Sequence, residues 1–527
     1  MLTKVLVANR GEIAVRIVRA CHELGICAVA VYSEPDRSAP HVSGADEAYE
    51  IGPAPAADSY LNGERLLAVA AESGCDAIHP GYGFLAENPD FARACEEAGF
   101  AFVGPSAETI ALMGDKTEAR SVMERAGVPV VPGTFEPVAD IAAVRAFCRK
   151  IGYPILLKAA AGGGGKGMRR VDSEDEIDSA WTAAGREAEA SFGDPRLYVE
   201  KYLQRPRHIE IQILADAHGN VIQLGERECS IQRRHQKLIE ESPSPLPSLM
   251  MSDGAGRGGR GGRGGLREKM GATAIAAARS AAYRGAGTVE FLVVDGAFYF
   301  LEMNTRLQVE HPVTEMVTGL DLVHAQLRIA AGEELASSLD APTYSGHSIE
   351  CRITAEDPLG DFLPATGVVD ELRIPGGPGV RWDGGIARGN EISLHYDSLL
   401  GKLIVHAPDR DAAIARMARA LDELVIDGVV HTGPLHRRIM DEPDFRAGEL
   451  HTSYLEEHPQ LFAPDEQDES WRAIAVAAAL LQDRDRGQGQ GQGRGRVRGN
   501  DEKPESGIDA WRRAVPRWPE RGWGNRL

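Results

Sequence analysis

Apolar residues fall into two alternating rhythms along the first hundred positions. Lys4-Val-Leu-Val-Ala8 is a short apolar run that predicts a strand, and Asn9-Arg10-Gly11-Glu12 ends it. Ile13, Ile17, Cys21 and Leu24 then recur at the spacing of a helix with one apolar face. After Gly25 a second strand-like run spans Ala28 to Tyr32, and strands alternating with helices predict a parallel α/β sheet. A further unit surrounds Asp76-Ala-Ile-His-Pro-Gly-Tyr-Gly83, where Pro and Gly mark a loop at a strand end. Such loops are where open α/β sheets hold ligands. This first domain is expected to cover residues 1–113.

The middle region, 114–332, contains the patterns with chemical content. A third, 333–458, has strand-like runs at Ser348 to Ile353 and Lys402 to His406, and is expected to close with a helix over Asp411 to Leu424. Beyond it, 459–527 is expected to be a disordered tail, because Arg484 to Arg498 is a Gly/Gln/Arg stretch unable to bury a core. Three of the chain's six Trp nevertheless lie between Trp511 and Trp523.

Tyr153-Pro-Ile-Leu-Leu-Lys158 reads as a strand that runs into a glycine loop through Gly162, Gly164, Gly165 and Gly167, followed by a return strand at Met168 to Val171. Consecutive glycines let backbone N–H groups close around phosphate oxygens while lysines supply charge. A Walker A loop is excluded because Gly167, not Ser or Thr, follows Lys166. A dinucleotide fingerprint is excluded because the next helix starts only near Ser173, the predicted N-cap with Glu176 at N3. Strand–loop–strand is instead the layout of a flap over nucleotide phosphates.

The strongest pattern lies between Thr288 and His311. Two strand-like runs, Thr288 to Val294 and Phe298 to Glu302, flank Asp295-Gly296-Ala297. A three-residue hairpin loop places Glu290 opposite Glu302, whereas a two-residue turn puts them on opposite faces. Facing like charges destabilise a strand pair and call for a cation. Oxygen ligands select Mg²⁺ or Mn²⁺. Polar residues then recur at every second position, Glu302, Asn304, Arg306, Gln308 and Glu310, so an extended chain points all five one way. A solvated amphipathic strand explains alternation alone, but not the opposed carboxylates.

Composition narrows the picture. A net charge of −20 opposes nonspecific binding to nucleic acid or anionic lipid, so anions need a local excess of cations. Glu226 to Lys237 provides one, with Arg233, Arg234, His235 and Lys237. The longest apolar run, Ala473 to Leu481, is far short of a roughly 20-residue membrane span. The seven Cys form no C-x-x-C pair, which disfavours a disulfide framework or zinc site and fits a reducing cytoplasm. Gly256 to Gly265 resembles an RGG segment, but three Arg and no aromatics read as a surface insertion.

Taken together these segments resemble the biotin carboxylase family, the ATP-grasp subunit of biotin-dependent acyl-CoA carboxylases. The likeness runs from Leu2 to His458 and rests on six stretches in order: Val7-Ala-Asn-Arg-Gly-Glu-Ile-Ala14, His79-Pro-Gly-Tyr-Gly-Phe-Leu-Ala-Glu-Asn88, Gly162-Gly-Gly-Gly-Lys-Gly-Met168, Gln232-Arg-Arg-His-Gln-Lys237, Glu302-Met-Asn-Thr-Arg-Leu-Gln-Val-Glu-His311 and Glu350-Cys-Arg-Ile-Thr-Ala-Glu356. The resemblance implies an α/β fold of three parts: an N-terminal parallel-sheet domain, an ATP-grasp domain with a glycine-loop lid over about 131–204, and a C-terminal mixed α+β domain.

The resemblance also implies the site. ATP is held by Lys116, Lys158, Gly164, Gly165, Glu200, Lys201, Tyr202, Leu203, His208, Gln232 and His235. Glu290, Glu302 and Asn304 hold two Mg²⁺ or Mn²⁺ ions. Bicarbonate sits against Lys237, Arg306, Gln308 and the backbone of Val309, with Glu310 as the base that deprotonates it. Arg352 meets biotin and stabilises its enolate. The chain carries no Met-Lys-Met for attaching biotin, so a biotin carrier protein in trans is expected, with a carboxyltransferase partner and a homodimer or larger hetero-oligomer. The Gly/Arg insert between Ser252 and Leu266 departs from the family pattern and is expected to be a tolerated loop. The competing readings are another ATP-grasp ligase and a non-catalytic carboxylase-like subunit. The run Arg306 to His311 with Arg352 argues against the first, and the filled catalytic positions against the second.

Overall fold

The computed structural model describes residues 2–134, 136–160, 168–250, 265–335 and 343–463. Gly164, Gly165, the Gly/Arg insert and the tail from 464 onward lie outside the described residues, as does the side chain of Lys116.

The opening pattern forms as expected. Strands β1 (Lys4–Val7), β2 (Cys27–Ser33), β3 (Glu47–Gly52), β4 (Ala77–His79) and β5 (Ala101–Phe102) make a parallel sheet of order β3-β2-β1-β4-β5. Helix α1 (Gly11–Glu23) follows β1 and buries Ile13, Ile17 and Cys21. β1 stands where the strand order reverses, so the loops leaving β1 and β4 open onto one crevice.

Next comes a small antiparallel sheet of β6 (Ile155–Ala159), β7 (Met168–Val171) and β8 (Leu197–Lys201), in order β7-β6-β8. Ser173 precedes a short 3-10 turn, Glu174–Glu176, and the helix proper is Ile177–Phe192, so the predicted N-cap stands one turn early.

The largest sheet has eight strands, all antiparallel. They are β9 (Arg207–Ala215), β10 (Val221–Arg233), β11 (Gln236–Ser242), β12 (Gly285–Val294), β13 (Ala297–Asn304), β14 (His347–Thr354), β15 (Val380–Gly384) and β16 (Leu399–Ala407). Their order is β13-β12-β9-β10-β11-β14-β16-β15. Helix α2 (His311–Thr318) packs on it, while α3 (Arg410–Glu423) and α4 (Gly433–Asp441) cover the C-terminal strands. The chain does not close with α3, because α4 and further short helices reach Phe462. Among the described residues no helix is long and apolar enough to cross a membrane.

The β12–β13 hairpin corrects one expectation and reaches the predicted pairing by another route. Val294 pairs with Ala297, so the turn has two residues, Asp295 (φ 50°) and Gly296 (φ 76°), not three. Left alone, that turn puts Glu290 and Glu302 on opposite faces. Leu301 is an extra residue between the Phe291–Phe300 and Glu290–Glu302 pairs, and this bulge shifts the register back. The extended stretch also ends at Asn304, and Glu310 caps α2, so the row does not continue as a strand to 310.

Buried histidines give the fold an acid limit. Burial lowers His41 and His436 to about 4 each. Their Nε2 atoms lie on the carbonyls of Val31 and Arg352, which leaves each ring neutral with Nε2 protonated. The unfolded chain protonates them near 6.5, so their contribution is complete above 6.5 and is lost as pH falls toward 4. Each is worth on the order of 3 kcal/mol. Glu240, which burial pushes up to about 7, opposes this together with Glu12, Glu210, Glu228 and Glu350, which burial also raises. Buried His79 and His311 and the cation-paired Glu241, Glu290 and Glu310 act in the same sense as His41 and His436. The melting temperature is expected to fall between pH 6.5 and 4, and less steeply in His41→Gln. Equal slopes in the two proteins would refute this account.

Candidate active site

One face of the large sheet gathers an unusual density of charge. Register places Glu290 beside Glu210 on β9 and beside Glu302 on β13, a row of three carboxylates across adjacent strands. Glu210 in turn pairs with Arg227 on β10. Such a row is unfavourable without cations, and the neighbouring strands supply them.

Lys237, on β11, donates to Glu210 Oε2 at 2.5 Å, to Glu290 Oε1 at 2.9 Å and to Glu310 Oε1 at 2.6 Å. Arg352, on β14, donates from Nε to Glu240 at 2.6 Å and from its other arm to Glu310 Oε2 at 2.8 Å. Glu310 is therefore clasped by two cations from opposite sides. Arg227 is fully buried and donates to Glu210 (2.5 Å), Gln212 (2.7 Å), Thr314, Thr288 and Gln308 (3.0 Å each). Gln308 passes a bond of 2.6 Å on to Glu290, and Asn304 adds one of 3.0 Å. Arg306 donates to Glu87 at 2.9 Å and to Asn304 Oδ1 at 3.1 Å.

These contacts set the protonation states. Burial alone raises Glu290 and Glu310. The Lys237 ammonium, with His208 beside Glu290 and Arg352 beside Glu310, outweighs it and holds both well below the usual carboxylate range. Burial lowers Lys237, but Glu210, Glu290 and Glu310 carry it well above the ordinary lysine value. His208 Nε2 lies 2.9 Å from Glu290 Oε2, a charge contact off the line of a hydrogen bond. Burial depresses His208, yet Glu290 leaves it above its ordinary value.

The nucleotide candidates lie alongside. Lys158 on β6 and Arg120 both pair with the buried Glu200 on β8. Lys158 and His208 are near enough to His235 to reinforce the lowering that burial imposes on it. Gln232 is buried and pairs with Lys237 across β10 and β11, and Leu203 is half-buried. The Lys201 ammonium is directed to the carbonyls of Gly152 and Tyr153, and the Tyr202 ring lies under Arg170 at 4.5 Å. Neither of these two side chains is turned to the carboxylate row.

The donors suit a hard dication. Glu290, Glu302 and Asn304 offer oxygen only, Glu302 is exposed beside buried Glu290, and Mg²⁺ favours one or two carboxylates completed by phosphate oxygens. Four members escaped the sequence reading: Glu210, Arg227, Glu240 and Glu87. Glu210 had a signal, because His208, Glu210 and Gln212 alternate with Ile209, Ile211 and Ile213 as regularly as the row from Glu302.

Comparison with known proteins bears on the site. Family models match in chain order: "Biotin carboxylase, N-terminal domain" over residues 1–110, "Carbamoyl-phosphate synthase L chain, ATP binding domain" over 115–338, and "Biotin carboxylase C-terminal domain" over 350–457. The biotin carboxylase of Haemophilus influenzae is 51% identical over 457 residues, covering 86% of this chain and 98% of its own. The biotin carboxylase of a Nostoc species is 53% identical over 455 residues, 86% of this chain and 98% of its own. The biotin carboxylase domain dimer of Hydrogenobacter thermophilus 2-oxoglutarate carboxylase, solved with MgADP, ADP and bicarbonate, is similar with a TM-score of 0.81 and 50% identity. That likeness covers 88% of this chain and 100% of that one.

Proposed function

Because the chain belongs to the biotin carboxylase family, and so carboxylates biotin at the expense of ATP and bicarbonate with Mg²⁺, we propose that bicarbonate is activated at the Lys237–Glu310–Arg352 cluster. The observation that carries this reading is the clasp on Glu310. Two cations and a base converge on one small volume, with Gln308 joined to it through Glu290 and Arg306 through Asn304 and Glu290.

Bicarbonate takes over the Lys237 ammonium and the Arg306 fork, which are the groups that hold planar anions. Competition for Lys237 relaxes its grip on Glu310 and raises the basicity of that carboxylate when the base is needed. Glu310 removes the bicarbonate proton, and the oxygen attacks the γ-phosphate to give carboxyphosphate and ADP. Carboxyphosphate collapses to CO₂ and phosphate, phosphate takes the ureido proton of biotin, and Arg352 steadies the resulting enolate. Its ureido nitrogen then adds to the carbon of CO₂ to give carboxybiotin. Lys158, His208 and His235, with Lys116 and the loop at Gly164 and Gly165, hold the nucleotide; Lys201, Tyr202 and Leu203 contribute through their backbone. Metal held by Glu290, Glu302 and Asn304 neutralises charge on the transferring phosphoryl group.

The biotin belongs to a carrier protein in trans and the carboxyl acceptor is chosen by a carboxyltransferase partner. The chain pairs with a second copy, in keeping with the Hydrogenobacter dimer. All seven cysteines are free, which supports a reducing cytoplasm.

The test is biotin-stimulated release of ADP from ATP and bicarbonate, titrated with Mg²⁺. Glu290→Gln is expected to raise the Mg²⁺ requirement by about tenfold or more. An unchanged requirement would remove Glu290 from the metal site, and ATP cleavage indifferent to biotin would favour a different ATP-grasp reaction.

A further inference from the structure

Two consecutive peptide planes end the segment that leads into α2. The carbonyl of Gln308 accepts from the His311 amide at 3.3 Å and lies 2.8 Å from His311 Nδ1. The carbonyl of Val309 accepts from Lys402 Nζ at 2.8 Å. A peptide unit is planar, so holding its carbonyl also aims the N–H on its other side. The first plane carries the Val309 amide and the second carries the amide of Glu310.

Lys402, on β16, is fully buried. Its ammonium also pairs at 2.9 Å with Glu12 on α1, which accepts from the Tyr82 hydroxyl. Asp383 and Glu350 add negative charge, and Arg352 is its cross-strand neighbour on β14. Three stretches distant in sequence thus meet at one nitrogen: α1, β16 and the 305–310 turn. Taking an ammonium out of water is costly, and a well-packed apolar side chain often serves the fold as well or better. The contact with Val309 supplies a reason to keep the charge.

We propose that Lys402 is a positioning residue for bicarbonate activation: anchored on Glu12, it fixes the Val309–Glu310 peptide and so aims the Glu310 carboxylate at bicarbonate. This rests on the reading that bicarbonate sits against Gln308, Val309 and Glu310. A role in charge balance alone is the rival, and the two part company when Glu12 is neutralised together with Lys402.

The experiment compares Lys402→Met, the double variant Glu12→Gln/Lys402→Met and Gln308→Ala in the full chain. It reads KM for bicarbonate, KM for ATP and melting temperature. Both Lys402 variants are expected to raise the bicarbonate KM by about tenfold or more, the scale seen when a supporting group ceases to orient an active one. The ATP KM should stay within about twofold of wild type. The double variant should melt nearer wild type than Lys402→Met, since it also neutralises Glu12, the carboxylate in direct contact with the Lys402 ammonium, yet keep the raised bicarbonate KM. Recovery of the bicarbonate KM along with stability would overturn the proposal. So would a normal bicarbonate KM in the Lys402 variants beside a raised one in Gln308→Ala, with the bicarbonate reading left standing. Normal values in all three would remove that reading and the proposal with it. If Lys402→Met fails to fold, the double variant makes the same comparison without the unpaired charge on Glu12.

Discussion

Glu310→Gln is expected to cut biotin-stimulated ADP release by roughly 10²- to 10⁴-fold, the range a positioned general base contributes. Glutamine keeps the length and shape of the side chain, so the loss isolates the base from the packing. The fold should survive, because Lys237 keeps Glu210 and Glu290 while Arg352 keeps Glu240. ATP binding should survive too, since Lys158, His208 and His235 do not depend on Glu310. Steady-state ADP release at saturating bicarbonate, beside a direct nucleotide-binding measurement, separates the two effects. A variant that turned over within about tenfold of wild type would move the base elsewhere, with Glu240, already pushed up to about 7, the next candidate.

The largest effect on stability is expected from Arg227→Met. Its guanidinium bonds five side chains from two strands, the 305–310 turn and α2, with no exposure to solvent. Removing it leaves Glu210 to Lys237 alone and strips a donor from Gln308, and a buried charge deprived of its partner costs about 3–5 kcal/mol. For so large a protein the melting temperature should fall on the order of 5 °C or more. Arg227→Lys should not rescue it, because one ammonium cannot reproduce a planar fork. Thermal melts of the two variants decide the matter. A lysine variant melting like wild type would mean that charge, not the fork, holds the network.

The sequence carried the chemistry further than the geometry. Strand–helix–strand at Lys4 to Tyr32 was legible because one face of each element is buried against the next, and periodicity reports that directly. Glu290 and Glu310 stood out through the hairpin and the alternating row and Lys237 through the basic row, while their meeting at one site was what the family resemblance implied. The route by which they meet was not legible. Leu301 has no Gly, Pro or Asn signature, so a bulge there is silent in the sequence, and the Asp295-Gly296 turn was read one residue too long. The turn after Asn304 reads as a strand because alternate residues still converge on Glu290, through hydrogen bonds made by Gln308 and Asn304 rather than by strand geometry. Arg227 and Lys402 were invisible for a different reason. A buried cation is defined by partners scattered over the chain, from Glu12 to Gln308.

The bulge at Leu301 imposes a parity rule on this hairpin as it diverges. One residue gained or lost at the turn throws Glu290 and Glu302 to opposite faces, and so does smoothing out the bulge. Doing both at once changes nothing that the metal feels. Length changes between Glu290 and Glu302 are therefore tolerated in compensating pairs, and relatives that differ there should be matched by facing carboxylates rather than by counting from the turn.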